Sequence, residues 1–453
     1  MMSEAETFEE VVAAVSESVD PSPEEVERME RVATALIGRV EAAIETLPVE
    51  ADVVRVGSTA RETWISGDRD IDLFVRFSPS IERDALEKYG LAVGHEVLPD
   101  GTEEFAEHPY VKSTVDGFDI DLVPCYAVDD PGEIKSSVDR TPFHAEYVQS
   151  RLTDELARDV RLAKQFFTGI GVYGSDLRTE GFSGYLTELL VLEYGGFRPM
   201  VEAAAAWHPP IELDPEDHGR VTFDDPLTVI DPTDPGRNVA AVLSADNVAR
   251  LQHYARELLD DPRTELFAAV EPDPLDEHAL REQLQNRGTT PVAIRFDAPD
   301  IVEDQLYPQL RRSRLGIIEE LDRRGFTVCR SMAIADETAV LFAELAVTER
   351  PRVERHVGPP VHVRDHAEGF FRKYEGTDAY GPFIEGDRYV VERSREYTTA
   401  EAFLNSDDLF TVRLGTHVET ALDSGYDVLV GEEITVLIDE FGVELAAYFD
   451  PSP

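Results

Sequence analysis

The chain has 453 residues, with 42 Lys+Arg against 92 Asp+Glu, a formal net charge of −50 and a pI near 4.4. Its 42% of hydrophobic residues supply a real core, which excludes an acidic disordered chain. No apolar run reaches the ~18 residues of a membrane span, and two cysteines, Cys125 and Cys329, exclude a disulfide framework and a cysteine zinc site.

The start, MMSEAETFEEVV, has no basic stretch of an export signal, so a cytoplasmic protein with no membrane partner is expected. Only five lysines occur: Lys88, Lys112, Lys135, Lys164 and Lys373. The acid is dispersed along the chain and not gathered in a tail. Together these features read as a cytosolic protein of an extreme halophile, because at ~1 M salt the Debye length of ~3 Å screens surface self-repulsion. On charge alone nucleic acid is disfavoured. In molar salt, however, counterion release contributes almost nothing, so the charge reports the solvent and does not exclude RNA.

The length corresponds to roughly two to four domains. Residues 22–47 open with Ser-Pro and keep a helical apolar period. Strand-like runs rich in Val, Ile, Leu and Phe follow at 52–56, 70–77 and 117–125. From 144 to about 260 the reading is mostly helical, with the Pro/Asp-rich stretch 208–236 expected as loop. Residues 263–300 read as a looser transition. A helix over 308–325, strands near 326–334 and 339–347, a Gly-Pro-Pro loop at 358–360 and further helices predict an α+β C-terminal region.

The chemistry concentrates in Val56-Gly57-Ser58-Thr59-Ala60-Arg61 and, with eleven residues between Ser58 and Asp70, in Asp70-Ile71-Asp72. In a strand Asp70 and Asp72 share a face at ~7 Å, while Ile71, Leu73 and Val75 point into a core. Paired carboxylates suit Mg²⁺, which takes oxygen ligands and keeps substrate phosphates in its shell. A third carboxylate on a neighbouring strand would complete a site for in-line phosphoryl displacement. About one residue in five is acidic, so Asp-x-Asp arises by chance at roughly one position in 25 and carries little by itself. Asp119-Ile120-Asp121 is a second example. Context raises the signal: a Gly-Ser turn follows a strand, Gly57 permits close backbone approach, and Ser58 with its neighbouring amides suits phosphate oxygens. Asp119 and Asp121 face the same way, and alternation alone does not choose between them.

Gly-Ser, a spacer, Asp-x-Asp and a third strand Asp resemble the nucleotidyltransferase superfamily of DNA polymerase β. GSTARETWISGDRDIDLFV with DIDLVPCY is similar, more closely, to the archaeal (class I) CCA-adding tRNA nucleotidyltransferases. RLAKQFFTGIGVYGSDL, GFSGYLTELLVLEYGGF, DPTDPGRNVAAVLS and GPPVHVRDHAEGFFRKY extend the resemblance over about residues 22–453.

That resemblance implies an α+β multidomain protein. It would have a polymerase β-like head at 1–140, a helical central domain at 141–285 that closes the nucleotide pocket, and an α+β tRNA-binding domain at 286–453. It implies CCA addition from CTP and ATP to the tRNA acceptor arm without a template, repair of incomplete ends, Mg²⁺ as cofactor, and a homodimer among the assemblies open to it. Asp70, Asp72 and Asp121 would be the catalytic metal carboxylates, the family's Asp-x-x-Pro context selecting Asp121. Ser58, Arg61, His144, Lys164 and Tyr173 would hold the triphosphate, and Arg237 would lie near the nucleobase. Without the family, Lys164 reads as a solvated helix face, His144 as a helix-start surface residue and Tyr173 as core. Trp64 and the GFFRKY aromatics read as packing. The arginine groups 311/312/314 and 350/352/355 are local basic islands and candidate tRNA backbone contacts. The competing enzyme reading is a sister nucleotidyltransferase of the poly(A) polymerase or oligoadenylate synthetase type. An RNA-binding protein that keeps the fold without the chemistry is the non-enzymatic one.

Overall fold

Alternating apolar residues over 70–77 and 118–126 make two strands that lie side by side and parallel in a five-stranded sheet. The computed structural model describes residues 7–219, 221–269 and 271–453 and divides into two units, one reaching residue 270 and one spanning 271–452.

The first unit begins with α1 (Phe8–Val19) and α2 (Pro23–Ile44). A capping box starts α2 at the expected Ser-Pro: Ser22 accepts from the Glu25 amide, and Glu25 accepts from the Ser22 amide at 2.8 Å. The sheet then forms from β1 (Ala51–Val56), β2 (Asp70–Phe77), β3 (Thr102–Phe105), β4 (Pro109–Val115) and β5 (Phe118–Tyr126), in the order β1-β2-β5-β4-β3. Helix α3 (Arg83–Val97) crosses between β2 and β3. On one face Ile71, Leu73 and Val75 pack with Leu36 and Val40 of α2 and Val93 and Val97 of α3. Trp64 is buried in this core, as the packing reading expected.

Helices α4 (Thr141–Gln149), α5 (Asp154–Gly169), α6 (Gly184–Tyr194), α7 (Phe197–Ala205) and α8 (Ala245–Asp260) follow. The continuous period over 144–171 is interrupted, because Thr153 caps α5 by accepting from the Leu156 amide. Phe166, Phe167, Phe182 and Phe197 fill the second core, and the apolar face of α1 closes it. The expected loop over 208–236 is corrected. It contains β6 (Ile211–Leu213) and β7 (Leu227–Asp231), and β8 (Asp234–Asn238) follows. The apolar run LTVID is wholly buried as a short strand, and the Asp and Pro on either side masked it.

In the second unit the expected transition 263–300 holds helix α9 (Glu277–Arg287) and β9 (Thr290–Asp297). Strand β9 sits inside the sheet β10-β11-β9-β15, with β10 (Val328–Ala335), β11 (Thr338–Leu345) and β15 (Asp427–Val430). Helix α10 (Glu303–Arg324) starts earlier than expected and runs through Pro308, which forgoes one intrahelical hydrogen bond in its second turn. Gly358-Pro359-Pro360 is strand and not loop. It ends β12 (Val353–Pro360), an edge strand where Pro removes no needed donor. The order β12-β14-β13 adds β13 (Tyr380–Glu385) and β14 (Arg388–Ser394), with α11 (Arg364–Tyr374) packed against them. Phe370 of GFFRKY packs among His356, Tyr374 and Tyr389.

The arginine islands are partly consumed inside this unit. Arg312 donates to the Leu414 carbonyl at 3.0 Å, half-buried Arg314 donates to Ser331 Oγ at 2.9 Å, and Arg355 pairs with Glu385 at 2.6 Å. With acid in such excess, unscreened carboxylate repulsion opposes both folded units. Thermal unfolding midpoints should fall as KCl is lowered from about 2 M to about 0.1 M, where the Debye length grows to ~10 Å. A midpoint that rises or stays level on dilution would contradict the screening argument.

Candidate active site

Four aspartates occupy neighbouring positions on β2 and β5. The parallel register sets Asp70 beside Asp119 and Asp72 beside Asp121. All four lie on the face opposite Ile71 and Leu73, the face where Phe74 packs with Val56, Val123 and Ala145 of α4. The two candidates on β5 differ in their partners. Asp119 accepts from Thr114 at 2.8 Å, whereas the buried Oδ1 of Asp121 has no hydrogen-bond donor. Lys112 Nζ stands 3.5 Å from it as an ion pair.

Charge crowding is visible in the titration of these groups. Burial, then the charges of Asp121 and Asp70, push the Asp72 carboxyl up to about 6. Burial also raises Asp70, reinforced by Asp68, and raises Asp121 against the pull of Lys112. Gly57, with φ at 72°, ends β1 against this cluster, and any Cβ there would overlap the Asp72 carboxylate. Gly57 therefore serves the carboxylate as well as any phosphate approach. The donor set fits a hard divalent cation: oxygen ligands, mutual repulsion and an orphaned buried oxygen at Asp121. Among the described residues no group of three carboxylate, histidine or cysteine side chains is arranged to hold a metal ion as it stands, so it is the chemistry of the aspartates, and not a preformed cage, that suits a cation.

The other expected residues come from the turn after β1 and from the helices. Ser58 lies in a single helical turn, Gly57–Ala60, and is half-buried. Arg61 Nε bonds Glu188 Oε1 of α6 at 3.0 Å, and Thr63 donates to the same oxygen at 2.6 Å. Lys164 of α5 is buried and donates to the Thr63 carbonyl at 2.9 Å, so the solvated-face reading does not hold. Burial holds its ammonium below the ordinary range, opposed by Glu188. A Cβ at Gly184 would lie 3.2 Å from the Tyr173 hydroxyl and 3.9 Å from Lys164 Nζ, so these two side chains converge there. Burial raises the half-buried Tyr173 phenol.

His144 and Arg237 meet on one carboxylate. Both bond Asp231 Oδ2 at 2.8 Å, His144 through Nε2 and Arg237 through a terminal guanidinium nitrogen. The His144 ring is half-buried and stacks on Tyr185 with centroids 3.9 Å apart and planes 14° apart, so it is not a free surface residue. His144, Arg237, Tyr185, Arg140 and Ser183 line a cavity of about 340 Å³.

Sequence reasoning missed Glu188 and Asp231, which hold Arg61, His144 and Arg237 in place. Each had a signal. Glu188 is a lone acid inside the apolar run GYLTELLVL, and Asp231 ends the apolar run LTVID.

Three family models match consecutive segments of the chain. They are "Nucleotidyltransferase domain" over residues 37–144, "tRNA nucleotidyltransferase, second domain" over 158–268 and "CCA-adding enzyme, C-terminal domain" over 287–431. Nucleotidyltransferase family enzymes generally use divalent metals. The CCA-adding enzyme of Haloarcula marismortui is 59% identical over 99% of this chain and 100% of that protein. That of Halorubrum lacusprofundi is 58% identical over 98% and 99%, and that of Methanoregula boonei 43% identical over 98% and 95%. Matching these proteins end to end, with a nucleotidyltransferase head whose β2 and β5 carry the aspartates, this chain belongs to the archaeal CCA-adding enzymes, the tRNA nucleotidyltransferases.

Proposed function

We propose that this chain adds CCA to the 3′ end of tRNA, taking CTP twice and ATP once, releasing pyrophosphate at each step and using no nucleic-acid template. It would also complete partly eroded ends. The end-to-end match to CCA-adding enzymes carries this reading, and the crowded carboxylates of Asp70, Asp72 and Asp121 supply its chemistry. In the reaction the terminal 3′-hydroxyl attacks the α-phosphorus in line and pyrophosphate leaves. These three aspartates would hold Mg²⁺, which supplies positive charge where oxygens become more negative. Ser58, Arg61, His144, Lys164 and Tyr173 take the triphosphate. Arg237 lies near the base. Glu188 keeps Arg61 aimed, and the buried Lys164 gives a strong point charge in a dry site.

The division of labour follows the chain: catalysis at 1–140, closure of the nucleotide pocket at 141–285 and grip on the tRNA acceptor arm at 286–453. In strong salt that grip depends on shape, 2′-hydroxyl contacts and close arginine forks rather than on net charge. The protein acts in the cytoplasm.

Incubated with tRNA lacking CCA in molar KCl with CTP, ATP and Mg²⁺, the protein should extend the tRNA by three nucleotides and stop. Long homopolymer tails with ATP alone would favour the poly(A) polymerase or oligoadenylate synthetase reading. No incorporation at all would favour an RNA-binding protein.

Asp70→Ala and Asp72→Ala should abolish CMP and AMP incorporation while leaving tRNA binding largely intact in a filter assay. Normal incorporation by either variant removes the carboxylate assignment.

The raised Asp72 also predicts a stability effect. A carboxyl whose folded value is about 6 against an ordinary 3.8 penalises the fold above pH 6, and the penalty fades as pH falls through 6 to 3.8. In metal-free buffer at pH 7, Asp72→Asn should therefore unfold at a higher temperature than the native protein although it is inactive. An unchanged or lower midpoint would show that the crowding is relieved by other means.

A further inference from the structure

We propose that Asp231 is the positioning residue that makes His144 and Arg237 one unit. It fixes the proton of His144 on Nε2 and aims Arg237, so that holding the triphosphate and reading the base are coupled. Capture of the nucleotide then draws a second proton onto His144 Nδ1. The inference rests on the reading above, in which His144 touches the triphosphate and Arg237 the base.

The geometry leaves Asp231 no freedom. It ends β7, fully buried, and its Oδ1 accepts from the Thr233 amide at 2.9 Å and the Thr233 hydroxyl at 2.8 Å. Its Oδ2 accepts from both His144 and Arg237. The tight turn into β8 thus locks the carboxylate, and the carboxylate locks two side chains from different elements. Burial alone would raise this carboxyl, yet the His144 and Thr233 hydrogen bonds hold it well below the ordinary range, so it stays ionised.

An ionised carboxylate only accepts, so the proton between the two groups belongs to His144 Nε2. The charged and titratable groups facing this ring are Asp231 from β7, Arg237 from β8, Arg140 just before α4 and Tyr185 from α6. Arg140 is itself paired with Asp234 at 2.9 Å. Burial, helped by Arg237 and Arg140, keeps His144 below its ordinary range despite the pull of Asp231, so the ring is neutral near pH 7. A neutral ring protonated on Nε2 has only a lone pair at Nδ1, and phosphate oxygens likewise only accept. A bond between them requires the ring to gain a proton. Asp231 makes that gain affordable, because it balances the imidazolium that forms.

The test is steady-state CMP incorporation into tRNA lacking CCA, in molar KCl with Mg²⁺, across pH 6 to 9. The proteins compared are native, Asp231→Asn, His144→Gln and the double variant. In the native protein the KM for CTP should rise with pH by up to about tenfold per unit once His144 must take up its proton. Asp231→Asn should raise KM roughly ten- to a hundredfold, with kcat changed less than about threefold. Its pH dependence should flatten, because the asparagine amide can donate to Nε2 and leave the single proton on Nδ1. The double variant should fall short of the product of the two single effects.

An Asp231→Asn enzyme that is weaker but keeps the native pH profile, with multiplicative effects in the double variant, overturns the proposal in favour of a purely structural role. If His144→Gln leaves KM untouched, the underlying assignment of His144 to the triphosphate fails, a result separable from the first. A spectroscopic readout on the native protein does not depend on how Asp231→Asn folds. The ¹⁵N spectrum of the histidine-labelled native protein, with His144 identified by its loss in His144→Gln, should show an Nε2–H ring without nucleotide. Added CTP should convert it to a doubly protonated ring. An Nδ1–H ring in the free protein, or no second proton with CTP, overturns the proposal.

Discussion

Repulsion among carboxylates on two adjacent parallel strands is the constraint around which the first unit is arranged. Apolar residues on the other face of β2 and β5 anchor the strands to α2 and α3, so Asp72 cannot move away from Asp121. The surrounding residues accommodate that cluster. Gly57 yields the space a side chain would occupy, Arg61 and Lys112 offset part of the charge, and Glu188 in turn keeps Arg61 from collapsing onto the aspartates. Hydrophobic burial holds the acids together against that repulsion, and the electrostatic cost is carried by the folded head.

The polar interior repeats one device at two places. A buried acid on a central helix or strand grips hydrogen-bond donors that reach in from elsewhere: Glu188 holds Arg61 and Thr63, and Asp231 holds His144 and Arg237. Such buried, hydrogen-bonded pairs are screened far less by salt than exposed ones. A protein bathed in molar ions can therefore keep directional electrostatics only where water and salt are excluded. The acidic surface and the paired interior are two responses to the same solvent.

Strands whose alternation was uninterrupted were legible: β2 and β5 were expected within a residue or so of where they lie, and the shared face of Asp70 and Asp72 followed. Alternation did not distinguish Asp121 from Asp119, because what differs between them, the bond from Thr114 to Asp119, comes from a neighbouring strand. Strand β7 and strand β9 were hidden for different reasons. Asp and Pro flank the first, and the second is a short buried run that lacks a distinguishing period. Lys164, His144 and Tyr173 were placed by resemblance. The burial of Lys164 and His144 was not readable, since helical spacing alone does not tell an inward side chain from an outward one. Glu188 and Asp231 could have been flagged as acids set in apolar runs, but their partners are far away in sequence.

Helix α1 has a consequence for how the chain is made. Its apolar residues Phe8, Val11, Val15 and Val19 complete the core built by residues 160–267, whereas α2, next in the chain, belongs to the sheet of the head. On the ribosome α1 thus emerges before the residues it packs against. It must wait, apolar face uncovered, while the sheet of the head and then α4 and α5 are synthesised. Helix α1 is therefore a closing piece of the first unit and a liability during synthesis.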